Sequence, residues 1–384
     1  MKKILFVASS LSIGGMERVL VDIANSLVGD QYDVSIITYA ESARENFIRE
    51  LDKRITFVYK PPRVFPIRKK MPYIHRYYRP DKWETRCSPR ALYRYYVGKK
   101  VKYDVEIAFC RGPAVKIISG SSNKQSKKYT WVHNDYRLVD PKTITKFFGD
   151  FDLAKKAYEK FDRIIAVSDE AKRSFVETIG YPEKTSTIYN MVDVEQINRK
   201  SLVPSPRHKN CFTVISVARL IDAKGYDTLL RAVKRLNDEH LQFELWLVGS
   251  GNNGSCELRL RKYAEDNNLT NVVFLGRQLN PYVFMKQADV YICSSWREGF
   301  SISVAEAMAC GLPVISTSCT GPAEILDNGK YGILIHYDED EMFEALRNAI
   351  LNPASLIPYR EKSLRRAKDF SSEEIIKQIE TLFE

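Results

Sequence analysis

The sequence predicts an α/β protein with two doubly wound parallel-sheet domains that face each other across a central cleft. Its 384 residues exceed what one ordinary hydrophobic core supports, so two domains are expected. Short apolar runs, typical of buried parallel strands, alternate with segments of helical period, and this alternation occurs twice along the chain. Such repeated alternation of strand and helix is the pattern of a doubly wound sheet.

The first domain is predicted to comprise residues 1–192. Its first helix, 16–27, carries apolar residues at helical spacing, and Ser168 is predicted to cap a helix over 169–179. Another helix is predicted between the second and third strands. The predicted strands are 3–8, 34–38, 55–59, 104–109, 128–133, 161–167 and 185–189.

The second domain is predicted to comprise residues 193–366. The polar stretch 198–210, which contains two prolines, is interpreted as the connection to this domain. A helix is predicted to follow Ser301 and to end at Gly311, where Pro313 comes shortly after. The predicted strands are 212–217, 243–248, 271–275, 289–293, 313–316 and 332–335.

The bulk composition is that of a globular protein without a membrane span. Apolar residues make up 44% and charged residues 28%, and no apolar run approaches the ~18 residues that a spanning helix needs. The seven cysteines form no Cys-x-x-Cys pair, which indicates reduced thiols in a cytosolic protein. Asp338-Glu339-Asp340 has the Asp-x-Asp spacing of some metal sites, but its place before a predicted helix favours a helix-start role, and no metal site is expected.

The net charge of +11 comes from one segment. Residues 60–103, here called the basic aromatic segment, contain fourteen Lys or Arg against two acids, so the rest of the chain is nearly neutral. Nucleic-acid binding would use this charge, but no nucleic-acid-binding module surrounds it, and a plain solvated face would not need so many aromatic rings. An anionic membrane surface would use both features and is favoured. The candidate membrane or acceptor residues are Arg68, Lys69, Lys70, Tyr77, Tyr78, Trp83, Arg94 and Tyr95.

The loop 298–301 is the strongest candidate site. It joins the carboxyl end of a predicted strand to the start of a helix, where doubly wound sheets bind ligands and free N–H groups favour anions. Two glutamates, Glu298 and Glu306, bracket it. Glu306 could instead form a capping box with Ser303, and Glu298 could be an exposed loop charge.

Other candidates follow predicted strands in the same way. Arg219 and Lys224 come after a second-domain strand and could offset the charge of a nucleotide diphosphate. Gly14 and Gly15 lie between the first strand and the first helix, where glycine permits close approach of a phosphate. His133 ends a strand, where it could be structural or could position a substrate.

These motifs resemble those of retaining nucleotide-sugar glycosyltransferases of family 4, which have the two-domain GT-B fold. The resemblance rests on the two glutamates with Gly-Phe-Ser after the first and Gly-Leu-Pro-Val after the helix. Gly-Gly-Met-Glu-Arg-Val from Gly14 and the Arg-Leu…Lys-Gly string from Arg219 are also similar to family motifs. Met191 and Ala218 stand where the family usually has glycine.

The resemblance implies roles for these residues. Glu298 would accept hydrogen bonds from the transferred sugar and Glu306 from the ribose, while Arg219 and Lys224 would hold the diphosphate. His133 would lie near the sugar. The anomeric configuration would be retained by front-face substitution, without a metal or cofactor. The residues implied to bind the donor are Gly14, Gly15, Asn190, Gly249, Arg277, Gly299, Phe300, Ser301 and Glu306.

The family also suggests the partners. UDP is its commonest nucleotide, so a UDP-hexose or UDP-N-acetylhexosamine is expected ahead of GDP-mannose. The acceptor is expected to be a lipid-linked glycan, as in capsule or other surface polysaccharide synthesis, at the inner face of the cell membrane. Residues 367–384 would form a helix that crosses back to the first domain. A GT-B sugar-nucleotide epimerase and a non-catalytic sugar-nucleotide or membrane-binding protein are the alternatives.

Overall fold

The computed structural model describes residues 1–43, 46–62, 81–99, 101–251 and 254–384, with the backbone alone for residues 81–83. Most of the candidate membrane or acceptor residues therefore lie outside the described residues. These are Arg68, Lys69, Lys70, Tyr77, Tyr78 and the side chain of Trp83.

The described strands form two parallel sheets. The first has the order β3-β2-β1-β4-β5-β6-β7 and the second the order β10-β9-β8-β11-β12-β13. The strands are β1 Lys2–Ala8, β2 Tyr32–Thr38, β3 Thr56–Tyr59, β4 Val105–Ala108, β5 Lys127–Val132, β6 Arg163–Ala166, β7 Thr185–Thr187, β8 Phe212–Val217, β9 Phe243–Val248, β10 Val272–Gly276, β11 Val290–Cys293, β12 Val314–Thr317 and β13 Ile333–Ile335.

Except between β2 and β3, described α-helices connect consecutive strands, since parallel pairing needs a long crossover connection that is usually a helix. The α-helices are α1 Gly15–Leu27, α2 Asp81–Arg86, α3 Pro89–Tyr96, α4 Pro113–Ser119, α5 Pro141–Thr145, α6 Phe151–Glu159, α7 Asp169–Thr178, α8 Val194–Ser201, α9 Tyr226–Asp238, α10 Ser255–Asp266, α11 Tyr282–Met285, α12 Ile302–Ala309, α13 Thr320–Ile325, α14 Glu339–Leu351, α15 Ile357–Ala367 and α16 Ser372–Phe383. The predicted α/β class with two doubly wound parallel sheets is confirmed.

Each sheet has one point at which the strand order reverses. In the first sheet the chain moves outward from β1 to β3 on one side and from β4 to β7 on the other. In the second sheet the reversal lies between β8 and β11. Open α/β sheets bind ligands at the carboxyl ends of the strands beside such a switch point. The topology therefore indicates the loops after β1, β4, β8 and β11 as candidate ligand-binding positions.

The chain forms two compact units. One comprises Met1–Tyr189 together with Ile376–Glu384, and the other comprises Asn190–Ile375. The end of α16 belongs to the first unit, where the Phe383 ring packs against Tyr32 and Tyr129. Lys2 Nζ also donates a hydrogen bond to the Phe383 carbonyl at 2.7 Å.

Central strands of both units are fully buried, which explains their continuous apolar runs. Ile4 and Phe6 of β1 have no exposed surface, and neither have Leu245 and Leu247 of β9. A parallel strand covered by helices on both faces has no solvent side, so its sequence does not alternate. This is why the strands could be located from their apolar runs.

Two local predictions were wrong. Between β2 and β3 the described residues contain only a single 3₁₀ turn, Ile48–Glu50, instead of a helix. Long-range contacts hold that segment, because the Arg18 guanidinium binds both Glu50 carboxylate oxygens at 2.9 and 3.0 Å. The supposed connection 198–210 begins inside α8, whose start is capped by the Asp193 carboxylate at 2.8 Å from Gln196 N. The predicted Ser168 cap of α7 is confirmed, with Ser168 Oγ accepting from Ala171 N.

Candidate functional site

The candidate site in the second unit lies at the switch point of its sheet. Arg219 and Lys224 follow β8, and Glu298 follows β11, the neighbouring strand. Carboxyl ends of adjacent parallel strands meet at one edge of a sheet, so the topology brings these three charged residues to the same edge.

A glycine allows the loops after β8 and β11 to touch. Gly225 has φ of +67°, and a Cβ built on it would lie 2.0 Å from the Ser294 carbonyl oxygen. Ser294 Oγ donates to the Lys224 carbonyl at 2.8 Å, and Trp296 N donates to the Ala223 carbonyl at 3.1 Å. Only a residue without a side chain fits this approach. The contact fixes the position of Lys224 relative to Glu298.

Lys224 and Glu298 form an ion pair. Lys224 Nζ donates to Glu298 Oε1, which also accepts from Ser295 Oγ at 2.9 Å. The two charged side chains are only 16% and 12% exposed. Glu298 is therefore not a solvated loop charge, and that alternative is wrong. The sequence suggested the two residues for separate roles, whereas the structure couples them directly.

Glu306 is buried inside the second unit. It is 8% exposed, and its Oε1 accepts a hydrogen bond from the Tyr282 hydroxyl at 2.8 Å. The capping-box alternative is wrong, because the helix cap is Ser301 and Ser303 lies within α12. Ser303 Oγ instead accepts from the Tyr291 hydroxyl at 2.8 Å. The buried carboxylate of Glu306 is thus held by a side-chain hydrogen bond, in an orientation that a cap would not produce.

Ser301 has the most unusual backbone of the loop 298–301. It is a non-glycine residue with φ of +74° and ψ of +74°, at the N-cap of α12. Its hydroxyl is buried and, among the described residues, has no hydrogen-bond partner. Strain and an unsatisfied buried polar atom both have an energetic cost, and they concentrate at functional sites. The free N–H groups at the start of α12 follow immediately.

The neighbouring residues of the loop have packing roles. The Phe300 ring packs edge-on against Phe370, with 5.4 Å between the ring centroids. A Cβ on Gly321 would lie 2.5 Å from the Phe300 backbone, so α13 approaches this loop closely. Gly299 precedes these contacts. Any ligand contact from Phe300 would therefore come from its backbone, since its ring is buried.

Arg219 has no partner for its charge. Its side chain is exposed and makes no ion pair or hydrogen bond with any described residue. The backbone beside it is fixed, because Gly249, with φ of +143°, would place a Cβ 1.8 Å from the Ala218 carbonyl oxygen. Arg277 directly follows β10, and its Nε donates to Ser250 Oγ in the loop after β9 at 3.2 Å. Arg219 therefore offers an uncommitted cation on a rigid turn.

Asn190 begins the second unit. It is 8% exposed, and its side-chain carbonyl oxygen has no hydrogen-bond partner within the described part of the chain. Met191 is 1% exposed and occupies space in the core, at the position where the related family usually has glycine. The substitution therefore fills the interior next to Asn190.

In the first unit, His133 follows β5 and is half-buried. Its Nε2 lies 2.9 Å from the Phe109 carbonyl oxygen, which can only accept, so Nε2 carries the proton. Burial lowers the pKa of His133 to about 4, although the hydrogen bond to Phe109 acts in the opposite direction. The imidazole is neutral near pH 7, and Nδ1 is left as an acceptor for a hydroxyl or N–H donor.

Gly14 and Gly15 form the start of α1 in the first unit. Gly14 is the N-cap in extended conformation, and Gly15 is the first helical residue. A Cβ on Gly14 would lie 2.4 Å from Glu17 Oε2, so the first-turn carboxylate covers this glycine. The acid beside the helix start would oppose an anion there, unless Glu17 changes its rotamer.

The described end of the basic aromatic segment combines surface and core. Arg94 is exposed, and Tyr95 is half-buried, with its hydroxyl donating to the Pro61 carbonyl at 2.7 Å. Tyr93 and Tyr96 on the same helix are buried and donate to Glu106 at 2.6 Å and Glu84 at 2.8 Å. Some aromatic residues of this segment are therefore core residues, contrary to a wholly interfacial interpretation. No described helix has the length and apolar character needed to cross a bilayer.

Asp338 has a structural role. Its Oδ1 accepts from the backbone N–H groups of Asp340 at 2.9 Å and Glu341 at 3.0 Å, as an N-cap of α14. In the residues that the structure covers, no group of three or more His, Cys, Asp or Glu side chains could hold a metal ion.

Sequence reasoning missed three residues that shape this site. Ser295 and Tyr282 hold the two glutamates, and Ser294 joins the loops after β8 and β11. Ser294 and Ser295 directly follow β11, ahead of the loop 298–301. Two polar residues at the end of an apolar strand could have indicated a role in the site. Tyr282 lies 24 residues from Glu306 and gave none.

Comparison with known proteins identifies the two halves. Residues 13–196 match the family described as "Glycosyltransferase Family 4", and residues 198–369 match "Glycosyl transferases group 1". The chain consists of two glycosyltransferase domains. A structure of Anabaena HepE in complex with UDP and glucose is similar over 100% of this chain and 99% of that one, with a TM-score of 0.76 and 22% identity. The expected GT-B fold is confirmed.

Curated relatives of the chain are also named as glycosyltransferases. An uncharacterized glycosyltransferase of Haemophilus influenzae is 26% identical over 98% of this chain and 99% of its own length. The N-acetylgalactosamine-N,N'-diacetylbacillosaminyl-diphospho-undecaprenol 4-alpha-N-acetylgalactosaminyltransferase of Campylobacter jejuni is 30% identical over 58% of this chain and 60% of its own length. Several other relatives also match over about half to two thirds of their own length.

Proposed function

We propose that this glycosyltransferase moves a hexosyl or N-acetylhexosaminyl unit from a UDP-sugar to a glycan acceptor, with retention of configuration and without a metal ion. The observation that carries the proposal is the coupling of Lys224 to Glu298 at the switch point of the second sheet, beside the strained Ser301. A UDP complex of a protein with the same fold supports the choice of nucleotide.

The diphosphate would bind where positive charge and free donors converge. Arg219 has no partner among the described residues, so its guanidinium can form two parallel hydrogen bonds to a phosphate without first breaking an ion pair with any of them. The unpaired Ser301 hydroxyl and the first N–H groups of α12 supply further donors from the adjoining loop. The same cation would stabilise the charge that grows on the departing diphosphate.

The ion pair gives Lys224 and Glu298 linked roles. In the free protein each satisfies the other, which limits the cost of holding two partly buried charges. A phosphate oxygen arriving at Lys224 would release one Glu298 oxygen to accept from a hydroxyl of the donor sugar. Ser295 would keep the carboxylate oriented during this exchange. Glu306, fixed by Tyr282, would accept from the ribose hydroxyls.

For the acceptor we propose a lipid-linked glycan and a location at an anionic membrane surface. The name of the Campylobacter relative specifies an acceptor linked to diphospho-undecaprenol. The charge excess of residues 60–103 supports attraction to anionic headgroups. His133, with Nδ1 free to accept, is proposed to position a substrate hydroxyl.

Slow release of nucleotide diphosphate tests the proposal. The full chain is incubated with UDP-glucose, UDP-galactose, UDP-N-acetylglucosamine, UDP-N-acetylgalactosamine and GDP-mannose, and free diphosphate is measured. We expect release from one UDP-sugar, lost in Glu298→Ala and kept in Glu361→Ala, an exposed acid of the same unit. Interconversion of UDP-sugars without release would support an epimerase instead. No reaction with any donor, with or without a lipid-linked acceptor, would contradict the transferase proposal.

A further inference from the structure

The switch point of the first sheet contains a cation that the donor site does not use. Arg111 follows β4, which pairs with β1 on one side and β5 on the other. It therefore lies between the strand ends that carry the Gly14-Gly15 turn and His133. Ligands of doubly wound sheets bind at the strand ends beside a switch point, so the position itself indicates a binding role.

One nitrogen of the half-buried Arg111 guanidinium is unsatisfied. Its Nη1 is buried, and within the described part of the chain it has no hydrogen-bond partner and the side chain forms no ion pair. A buried guanidinium nitrogen without a partner has a substantial desolvation cost. By contrast Arg18, a buried arginine of the same unit, binds Glu50 and Asp22. The folded chain thus holds Arg111 at a place where it gains nothing from its own neighbours.

The surroundings of Arg111 contain neutral groups. Its charge acts on Cys110, Tyr136 and Tyr158, and partly offsets the burial that raises the pKa of each. Burial keeps all three protonated near pH 7, and the Tyr136 and Tyr158 hydroxyls bond each other at 2.6 Å. Glu17 also acts on Cys110, but it makes no ion pair with Arg111 among the described residues. No carboxylate among the residues that the structure describes therefore pairs with this charge.

The backbone holds Arg111 in place. Gly112, the next residue, has φ of +76°, and a Cβ there would lie 3.0 Å from the Phe147 ring. Cys110, the preceding residue, is buried with its thiol 3.4 Å from the Tyr39 hydroxyl. The backbone on both sides of Arg111 is therefore constrained, and a residue whose backbone is held in place is better prepared to bind a ligand from outside the chain.

We propose that Arg111 binds an oxyanion of the acceptor substrate, a phosphate or carboxylate group, at the switch point of the first sheet. The inference rests on the proposed transferase function and specifies it, because it makes the acceptor anionic. A planar guanidinium can bind such a group through two parallel hydrogen bonds, and the neutral surroundings would not weaken the attraction.

Anion-dependent stability tests the inference. The full chain is saturated with UDP, so that the second unit is occupied, and its unfolding temperature is followed against sodium phosphate at constant ionic strength, with sodium acetate as the carboxylate probe. At ten times the dissociation constant we expect a rise of about 3–5 °C with one of the two probes. Arg111→Gln should abolish this rise, and Arg111→Lys should weaken it.

Matched variants separate this inference from the proposed function. Arg90→Gln removes one exposed positive charge from the same unit and should keep the anion response. Arg219→Gln should keep the anion response and weaken the UDP response. If wild type does not respond to UDP, the donor proposal fails whatever Arg111 does. If Arg111→Gln responds to both anions as wild type does, or wild type responds to neither, the inference is overturned and the donor proposal stands.

A stability measurement guards against a folding defect. Without added anion, Arg111→Met replaces a half-buried cation, one of whose nitrogens is buried and unsatisfied, by an apolar chain of similar length, so its unfolding temperature should equal or exceed that of wild type. A binding residue retained at a cost to stability behaves in this way. A clear fall, together with an unchanged anion response in Arg111→Lys, would show a structural arginine and overturn the inference.

Discussion

The two units place different chemistry at the same topological point. At the second switch point the charges are paired, since Lys224 binds Glu298 and the loops touch through Gly225. At the first switch point Arg111 has no partner among the described residues, and His133 is neutral. At the edge of the second sheet the charges compensate each other before a ligand arrives, whereas at the edge of the first sheet the charge of Arg111 is not compensated by a described residue. The difference is consistent with the proposed donor site in the second unit and with the proposed anion site of the acceptor in the first.

The largest expected effect is on turnover at the second switch point. Glu298→Ala removes the partner of Lys224 and the proposed acceptor for sugar hydroxyls, and should lower transfer by about 10²–10³-fold. Circular dichroism and the unfolding temperature should show a folded protein. Near-normal turnover would show that the ion pair is only structural and would remove the contrast between the two edges.

The next effect tests how the loops after β8 and β11 are held. Gly225→Ala adds a side chain at positive φ, 2.0 Å from the Ser294 carbonyl. We expect a loss of roughly 3 kcal/mol in the free energy of unfolding, measured by urea denaturation. Gly29→Ala is the control, since a Cβ there meets no atom within 4 Å. Equal stability of the two variants would mean that these loops can separate without cost.

Sequence reasoning located the second site better than the first, and the reason is physical. The chemistry of the second site lies in short loops, where Arg219, Lys224 and Glu298 are visible beside apolar strands. The Lys224–Glu298 pair joins residues 74 positions apart and required the strand order. Arg111 follows a strand in the same way, but its lack of a partner is a property of packing that no local pattern carries.

The difference between local sequence patterns and long-range packing also explains which elements of the fold could be predicted. Buried parallel strands were found from their apolar runs, because both faces are covered. The predicted helix between β2 and β3 failed because Arg18 and Asn25, from α1, hold the described end of that segment in an irregular conformation. The aromatic residues of the segment 60–103, Tyr93 and Tyr96 among them, were interpreted together as interfacial. The hydrogen bonds of Tyr93 to Glu106 and of Tyr96 to the buried Glu84 cannot be predicted from the neighbouring sequence.

A smaller effect is expected on donor affinity. Arg219→Gln removes an exposed cation that no residue of the described chain neutralises. Affinity for UDP should fall by about tenfold, or about 1.4 kcal/mol, because one charge-assisted contact to phosphate is lost. Calorimetric titration measures this. Arg231→Gln, an exposed arginine paired with Glu339, should bind UDP as wild type does.

The smallest effect concerns pH and the first unit. His133 has its pKa lowered to about 4 in the folded protein, against an ordinary value of about 6.5 in the unfolded chain. The unfolded state therefore takes up a proton first, and this contribution to stability is lost as pH falls from about 6.5 to about 4. His133→Gln should reduce the slope of stability against pH in that window. An identical slope in both proteins would contradict a neutral, half-buried imidazole at this position.

Direct binding of UDP tests the central claim most simply. UDP is titrated calorimetrically into wild type and into the double variant Arg219→Gln with Lys224→Ala, with both proteins shown to be folded. We expect saturable binding of one UDP per chain to wild type and at least a hundredfold weaker binding to the double variant, a difference of about 2.7 kcal/mol in binding free energy. Equal affinity for the two proteins, or no binding to wild type, would contradict a donor site at the second switch point.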